Sequence, residues 1–217
     1  KAYASFAIAN NEPNRDDFEA SPAQQPKAES LYDGELGYQY RSTIWEAGAN
    51  FYYMYYRNQL IPTGKINDVG TATRTNTPKS YRTGLELTAA VRPATWLRIQ
   101  ANATISRNKI IDFEEYIDDY DSGEQILNTY KESDIAFAPG LIAGGTATIE
   151  PFAKLLKQQQ FYVDIIGKYV GRQYLHNTQN ESSSINPYGL CHLRFPYTVQ
   201  NSFVKEVGIS LVLNNVF

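Results

Sequence analysis

Between Arg74 and Arg107 the chain alternates apolar and polar residues on both limbs of a hairpin, and no other stretch narrows the fold as much. On the rising limb Tyr81, Thr83, Leu85, Leu87, Ala89 and Val91 share one face, and Arg82, Gly84, Glu86, Thr88 and Arg92 the other. Arg92-Pro93-Ala94-Thr95 reverses the chain, and Trp96 opens the return. There Leu97, Ile99, Ala101, Ala103 and Ile105 oppose Arg98, Gln100, Asn102, Thr104 and Ser106. Successive side chains of a strand point to opposite faces, so each limb has one apolar and one polar side. A soluble sandwich would bury the apolar side and wet the polar one. A membrane barrel would set the apolar side in lipid and the polar side in a wet lumen.

Composition weighs on that choice. The chain has 217 residues and a formal net charge of −3, which argues against a nucleic-acid binder with its basic surface. Mean hydropathy is −0.44, a value that strict alternation keeps low even in a membrane barrel. No run of residues approaches the ~18–20 apolar positions of a spanning helix. The 17 Tyr and 2 Trp suit membrane–water interfaces, where rings with one apolar and one polar end gather. A single cysteine, Cys191, excludes an internal disulfide. The chain opens at Lys1 directly in strand-like sequence, which reads as processing or as a piece continued upstream.

Taken in order, strands are expected at Tyr3–Ala9, Leu31–Arg41, Trp45–Tyr55, the two central limbs, Phe137–Ile149, Phe161–Arg172, Leu193–Val199 and Val207–Leu213, about nine in all with no helix of consequence. Polar loops are expected at Asn10–Glu29, Lys65–Lys79, Asn108–Asp134 and His176–Asn186. The other reversals, near Arg41–Trp45, Arg92–Trp96, Pro151–Gln159 and Gln200–Glu206, are short. Short turns on one rim and long loops on the other are the layout of an outer-membrane barrel. Both Trp residues follow short turns, while Tyr52, Tyr53, Tyr55 and Tyr56 lie towards the long-loop end, as two aromatic girdles would require.

Several phrases carry a resemblance. They are Tyr3-Ala4-Ser5-Phe6 with Glu12-Pro13-Asn14-Arg15, Leu31-Tyr32-Asp33-Gly34-Glu35-Leu36-Gly37-Tyr38, Asn76-Thr77-Pro78-Lys79-Ser80-Tyr81-Arg82-Thr83-Gly84-Leu85-Glu86, Lys168-Tyr169-Val170-Gly171-Arg172-Gln173-Tyr174-Leu175 and Asn214-Asn215-Val216-Phe217. In this order and over essentially the whole chain, they resemble the C-terminal part of the barrel of TonB-dependent outer-membrane receptors, particularly those of Bacteroidetes. The resemblance implies an all-β, antiparallel transmembrane barrel, with residues 1–217 supplying about nine of the ~22 strands of such transporters. It also implies a plug domain outside this sequence and, through the plug, coupling to the TonB–ExbB–ExbD complex. Outer-membrane lipids, an extracellular small-molecule ligand and a surface lipoprotein are the further partners it suggests. No nucleic acid, cofactor or metal is implied. Phe217 is read as truncation before a further strand rather than as the terminal aromatic of a complete barrel, because Asn215 breaks the alternation of Ile209, Leu211 and Leu213.

Candidate site residues are few. Arg15 and Arg82 are the best placed to grip an anionic chelate, since a guanidinium binds carboxylates through two parallel hydrogen bonds; Tyr52 shares the polar face with Arg82's strand. The acids Asp112, Glu114, Glu115, Asp118, Asp119, Asp121 and Glu124 lack the spacing of a calcium loop and read as a solvated external loop. The lumen-side charges Glu46, Arg82, Glu86, Arg92, Arg98, Asp164, Lys168 and Arg172 are expected to pair with one another or with the plug. His176 and His192 have no ligand at metal spacing, and Cys191 shares the parity of Leu193 and Phe195. No catalytic grouping is legible.

The expected function is therefore barrel wall and extracellular loops of a non-enzymatic active transporter in the Gram-negative outer membrane, importing a ferric siderophore or other iron chelate. The rivals are a small passive pore or adhesin, which an odd strand count disfavours, a glycan- or cobalamin-importing receptor of the same fold, and a soluble glycan-binding sandwich.

Overall fold

The computed structural model describes residues 1–20, 25–66, 72–152, 158–178, 180–200, 203 and 205–217. Its elements are β1 (Ala2–Asn11), α1 (Arg15–Ala20), β2 (Glu29–Arg41), β3 (Trp45–Ile66), β4 (Ala72–Ala94), β5 (Leu97–Asp118), β6 (Gln125–Asp134), β7 (Leu141–Ile149), β8 (Gln159–Phe161), β9 (Val163–Val170), β10 (Gln173–Tyr174), β11 (Ser184–Ile185), β12 (Tyr188–Val199) and β13 (Val207–Leu213). Nine of these form one continuous antiparallel path, β1-β2-β3-β4-β5-β7-β9-β12-β13. These are the nine strands the alternation predicts. β6 extends the sheet beside the upper half of β5, β8 pairs with the end of β12, and β10 and β11 form a small separate ladder.

Cross-strand register turns the alternation of single strands into rows that cross the sheet. Leu36, Phe51, Leu85, Ile105 and Leu141 are consecutive partners on one face, and all five side chains are exposed. One row towards the short turns, Tyr38, Ala49, Leu87, Ala103, Ala143 and Tyr169 continue that apolar surface. The next row towards the short turns, on the opposite face, is Gln39, Gly48, Thr88, Asn102, Gly144 and Lys168. An apolar face without a packed layer over it is what lipid, rather than a second sheet, would cover. Cys191 sits in the outward row opposite Gly167, on the face its parity indicates.

Aromatic residues mark the limits of the band. Tyr40 and Trp45 pack with ring centroids 4.7 Å apart near the short turns, and Tyr32, Tyr55 and Tyr81 are consecutive partners in one row nearer the long loops. Ten residues separate Trp45 from Tyr55 along β3. At ~3.4 Å per residue and a tilt of ~40°, they span about 25 Å of height, the thickness of a barrel's apolar band. Tyr52 and Tyr56, expected in the girdle region, point to the polar face instead, because they carry the opposite parity to Tyr53 and Tyr55.

Two of the expected loops are strands. β3 and β4 reach Ile66 and Ala72, so Lys65–Lys79 is largely paired backbone, with 67–71 outside the described residues. β5 and β6 likewise form a hairpin through most of Asn108–Asp134, turning only at 119–124. The alternation misled because the inward face changes parity midway. Asn58 and Asp112 both adopt positive φ, 53° in each case, a conformation that Asn and Asp tolerate better than other side chains. Below them Tyr56 on β3 and Ile110 on β5 look inward; beyond them Ile61 and Phe113 do, and the latter two are buried. The flanking pairs, Arg57–Lys79 and Ile111–Glu132, put Asn58, Pro78, Asp112 and Lys131 in one row across four strands.

Smaller departures follow local chemistry. The long stretch Asn10–Glu29 contains the six-residue helix α1, opened by a reciprocal pair in which Asn14 Oδ1 accepts from the Asp17 amide and Asp17 Oδ2 accepts from the Asn14 amide, each at 2.9 Å. The reversal Pro151–Gln159 ends in β8, with 153–157 outside the described residues, and the expected Phe137 strand begins only at Leu141.

The face assignment is testable in the intact barrel. Leu87→Arg should cost ~2–4 kcal/mol of folding stability at mid-bilayer, whereas Glu86→Arg, on the neighbouring inward position, should cost far less. Equilibrium unfolding from lipid vesicles measures both.

Candidate functional site: the inner wall and its outer mouth

The inward face of β2 to β5 carries polar groups in successive rows. Asp33, Met54 and Arg82 are partners in one row, Glu35, Tyr52, Gly84 and Ser106 in the next, and Asn50, Glu86 and Thr104 in the third. The backbone of Gly84 runs so close under Tyr52 that a β-carbon there would lie 2.6 Å from the phenol oxygen. Gly84 thus lets the ring lie flat along the wall, and Gly84→Ala would push it into the lumen. Asn50 Nδ2 donates towards both carboxylates, at 3.3 Å to Glu86 and a long 3.5 Å to Glu35. Arg82 lies over the Tyr56 ring at 5.9 Å, a cation–π contact. Asp33 Oδ1, Asn50 Oδ1 and Arg82 Nε are buried without a hydrogen-bond partner. Buried polar atoms are nearly always paired in folded proteins.

Towards the short turns the inner wall hollows into a trough of 1080 Å³, lined among others by Arg41, Glu46, Thr88, Gln100, Asn102 and Lys168. Several expected lumen charges are neutralised locally rather than with one another. Glu46 pairs with Arg41 at 3.0 Å, Asp164 with Arg194 at 2.7 Å, and Arg172 with Glu181 at 3.2 Å. Asp164 is only 2 % exposed, and Arg194 reaches it through both Nε and Nη2, the hydrogen-bonded pairing that a buried carboxylate needs.

At the other end the mouth has its own small core. Ile61, Ile110, Phe113 and Ile135 are buried together, with Tyr130 and Ala138 packed against them. Asn177 fastens distant segments over it: its side-chain oxygen accepts from the Ala136 amide at 2.8 Å, and its amide donates to the Pro62 carbonyl at 3.1 Å. Asp17, 6 % exposed, receives Nε and Nη2 of Arg74 at 2.7 and 2.5 Å, pinning α1 to the start of β4. The Arg74 guanidinium holds the Asp17 carboxyl below the usual carboxylate range, against the opposing effect of burial. Asn76 adds a second tie, accepting from the Lys27 amide at 2.7 Å and donating to the Lys27 carbonyl at 3.0 Å.

Of the three sequence-derived candidates, the structure puts Arg82 and Tyr52 on one inward face in adjacent rows. Arg15 stands apart on α1, exposed and paired with Glu19 at 2.6 Å. The acidic run is spread along the β5–β6 hairpin, not gathered in a loop. Glu115 accepts from Tyr130 Oη at 2.8 Å, and Asp118 from Gln125 Nε2 at 2.8 Å. Asp119 accepts from Ser122 Oγ at 2.7 Å, which with the Asp121 amide holds its carboxyl below the ordinary value. His192 Nδ1 accepts from the Asn215 amide at 3.1 Å, and His176 is exposed. Sequence reasoning missed Asp17, Arg74 and Asn177. The Asn14-x-x-Asp17 spacing could have announced the helix start, but nothing local announces partners 57 or 115 positions away.

Two outcomes follow. Asn177→Ala should destabilise the mouth by ~1–3 kcal/mol, because it leaves the Ala136 amide and the Pro62 carbonyl unpaired; faster amide exchange confined to 135–140 and 61–63 would show it. The Asp17 carboxyl is depressed in the folded state, so its contribution is full above the ordinary carboxylate range and lost as pH falls through the depressed value. Acidification should therefore release α1 from β4, and Asp17→Asn should abolish that pH dependence, read by proteolysis within 12–28.

Comparison with known proteins accords with this geometry. The family described as TonB-dependent receptor-like, beta-barrel, matches residues 2–216. The ferric enterobactin receptor of Pseudomonas aeruginosa superposes with a TM-score of 0.63 at 16% identity, over 100% of this chain and 32% of that one. The FrpB iron transporter of Neisseria meningitidis gives 0.66 at 14% identity, over 100% and 32%. The copper transporter OprC gives 0.71 at 15% identity, over 99% and 31%. The chain thus spans about a third of the length of these structures, and at such identities they show the fold alone. No curated protein sequence matches. TonB-dependent receptors work with TonB, bind extracellular ligands and reside in the outer membrane of Gram-negative bacteria; they are transporters and receptors, not enzymes. With its nine-strand arc, apolar outside and polar inside, matched over nearly every residue, this chain belongs to the TonB-dependent receptor-like β-barrel family.

Proposed function

We propose that residues 1–217 form the C-terminal part of the barrel of an outer-membrane active transporter that imports a ferric siderophore or other iron chelate. The observation that carries the proposal is the inner wall of β2 to β4. There an arginine, a tyrosine and carboxylates line a polar surface directly beneath a folded mouth, inside a sheet whose outer face is apolar. Arg82 keeps an unspent buried Nε donor, and a guanidinium offers paired donors to an anionic chelate. Tyr52 lies one row below and supplies a ring and a hydroxyl. Arg15, on α1 at the outer surface, is the proposed first contact. That neighbours of the same fold include iron and siderophore receptors supports the choice of cargo; that they include a copper transporter keeps the metal open to test.

In this reading the wall performs no chemistry. It positions groups that hold the ligand, while the TonB–ExbB–ExbD complex supplies energy through a plug, and a surface lipoprotein is a further proposed partner. The experiment is uptake of radiolabelled ferric chelates by cells carrying the full-length receptor. Transport should depend on TonB, and Arg82→Ala or Tyr52→Ala should raise the half-saturating concentration by about tenfold, the effect of one lost hydrogen bond to a charged ligand. TonB-independent uptake would favour a passive pore. Uptake unaffected by either substitution would remove these residues from the ligand path.

A further inference from the structure

The outward face carries a charge arrangement that the transport reading does not use. Around the row Tyr32–Tyr55–Tyr81–Lys109 four cations project from adjacent strands: Arg57 on β3 and Lys79 on β4 one outward row beyond it, on the side of the long loops, Lys109 on β5 within it, and Arg107 on β5 one outward row before it. Two carboxylates from β6 face them. Glu132 pairs with Arg107 at 2.5 Å and lies 3.8 Å from Lys109, while Asp134 pairs with Lys109 at 2.8 Å. Both acids are thereby engaged. Arg57 and Lys79 remain, both exposed and directly opposite each other in the ladder. Among the described residues neither has a carboxylate partner.

Like charges directly opposite across an antiparallel pair are destabilising, so this pair costs stability unless something anionic lies against it. It is also not free to swing apart: the Arg57 guanidinium is held over the Tyr32 ring at 5.7 Å. Position supplies the partner. A tyrosine row marks the edge of the hydrocarbon, and Arg57 and Lys79 stand one inward–outward repeat, about 7 Å along the strand, beyond it. That is the level of lipid headgroups.

We propose that Arg57 and Lys79 form a binding site for the phosphate of an outer-leaflet lipid. The lipid phosphate bridges the two cations, with the apolar rows below receiving its chains. The site rests on the outer-membrane barrel reading above, and it would fix the height of the barrel in the leaflet on the flank where the long hairpins begin.

The test uses the full-length receptor in phosphatidylcholine nanodiscs doped with phosphatidic acid, which presents a phosphate monoester. Native mass spectrometry then counts the lipids retained on release. The wild type should retain phosphatidic acid preferentially, and Arg57→Gln with Lys79→Gln should lower that retention by about fivefold per cation while leaving phosphatidylcholine retention unchanged. Lys79→Glu supplies the cross-strand ion pair internally, so it should raise thermal stability in lipid-free detergent and abolish the preference. Equal retention by wild type and double variant would overturn the site, as would displacement of phosphatidic acid by millimolar inorganic phosphate without regard to lipid. Failure of every form to hold any lipid would instead strike the membrane-barrel reading itself, and the site with it.

Discussion

Within hydrocarbon a backbone amide has no water to turn to, so each must find its partner on a neighbouring strand. The unbroken ladder from β1 to β13 is the response to that constraint, and the rest of the structure depends on it. Once register is set by the short reversals, such as the one where Ser42 N and Arg92 N donate to the carbonyls of Trp45 and Ile44, the rows are set too. A slip of one residue would exchange the lipid and lumen faces of a strand. The apolar rows through Phe51 and Leu85, the polar rows through Asn50 and Glu86 and the flat seat of Tyr52 on Gly84 are all consequences of one register.

The faces were legible because alternation is a local property of each strand. The nine wall strands, the outward face of Leu87 and Cys191, and the inward face of Arg82 and Glu86 all followed from period two. What escaped was non-periodic. At Asn58 and Asp112 the chain changes which parity looks inward, and to a reader of alternation a change of parity in a polar stretch looks like a loop. The hand-over at 135–140, where β5 passes from β6 to β7, is likewise carried by backbone bonds, Ile135 N to Asn108 O and Ser106 N to Gly140 O, which leave no signature in side chains.

The inner wall divides in the same way. Arg82 and Tyr52 could be assigned to one face, and they lie in adjacent rows. Arg15 could be recognised as a potential anion contact, but not as the partner of Glu19. The expectation that lumen charges pair held in kind and failed in detail: Glu46, Asp164 and Arg172 take Arg41, Arg194 and Glu181, whose proximity only the register and the folded loops reveal. Asn177 and the Asp17–Arg74 pair are long-range contacts, and long-range contacts are the part of a fold that a single sequence encodes least openly.

The row formed by Asn58, Pro78, Asp112 and Lys131 separates two structures with different solvents and different cores. Below it, side chains answer to lipid outside and water inside. Above it, the hairpins pack through Ile61 and Phe113, which rest on Ile110 just below the row. Such a seam makes the mouth an interchangeable part: hairpins joined to the wall at these four positions would carry Ile61 and Phe113 with them and need to fit the wall beneath at Ile110. Diversification of what the mouth recognises could then proceed, in nature or by grafting, without renegotiating how the sheet sits in its membrane.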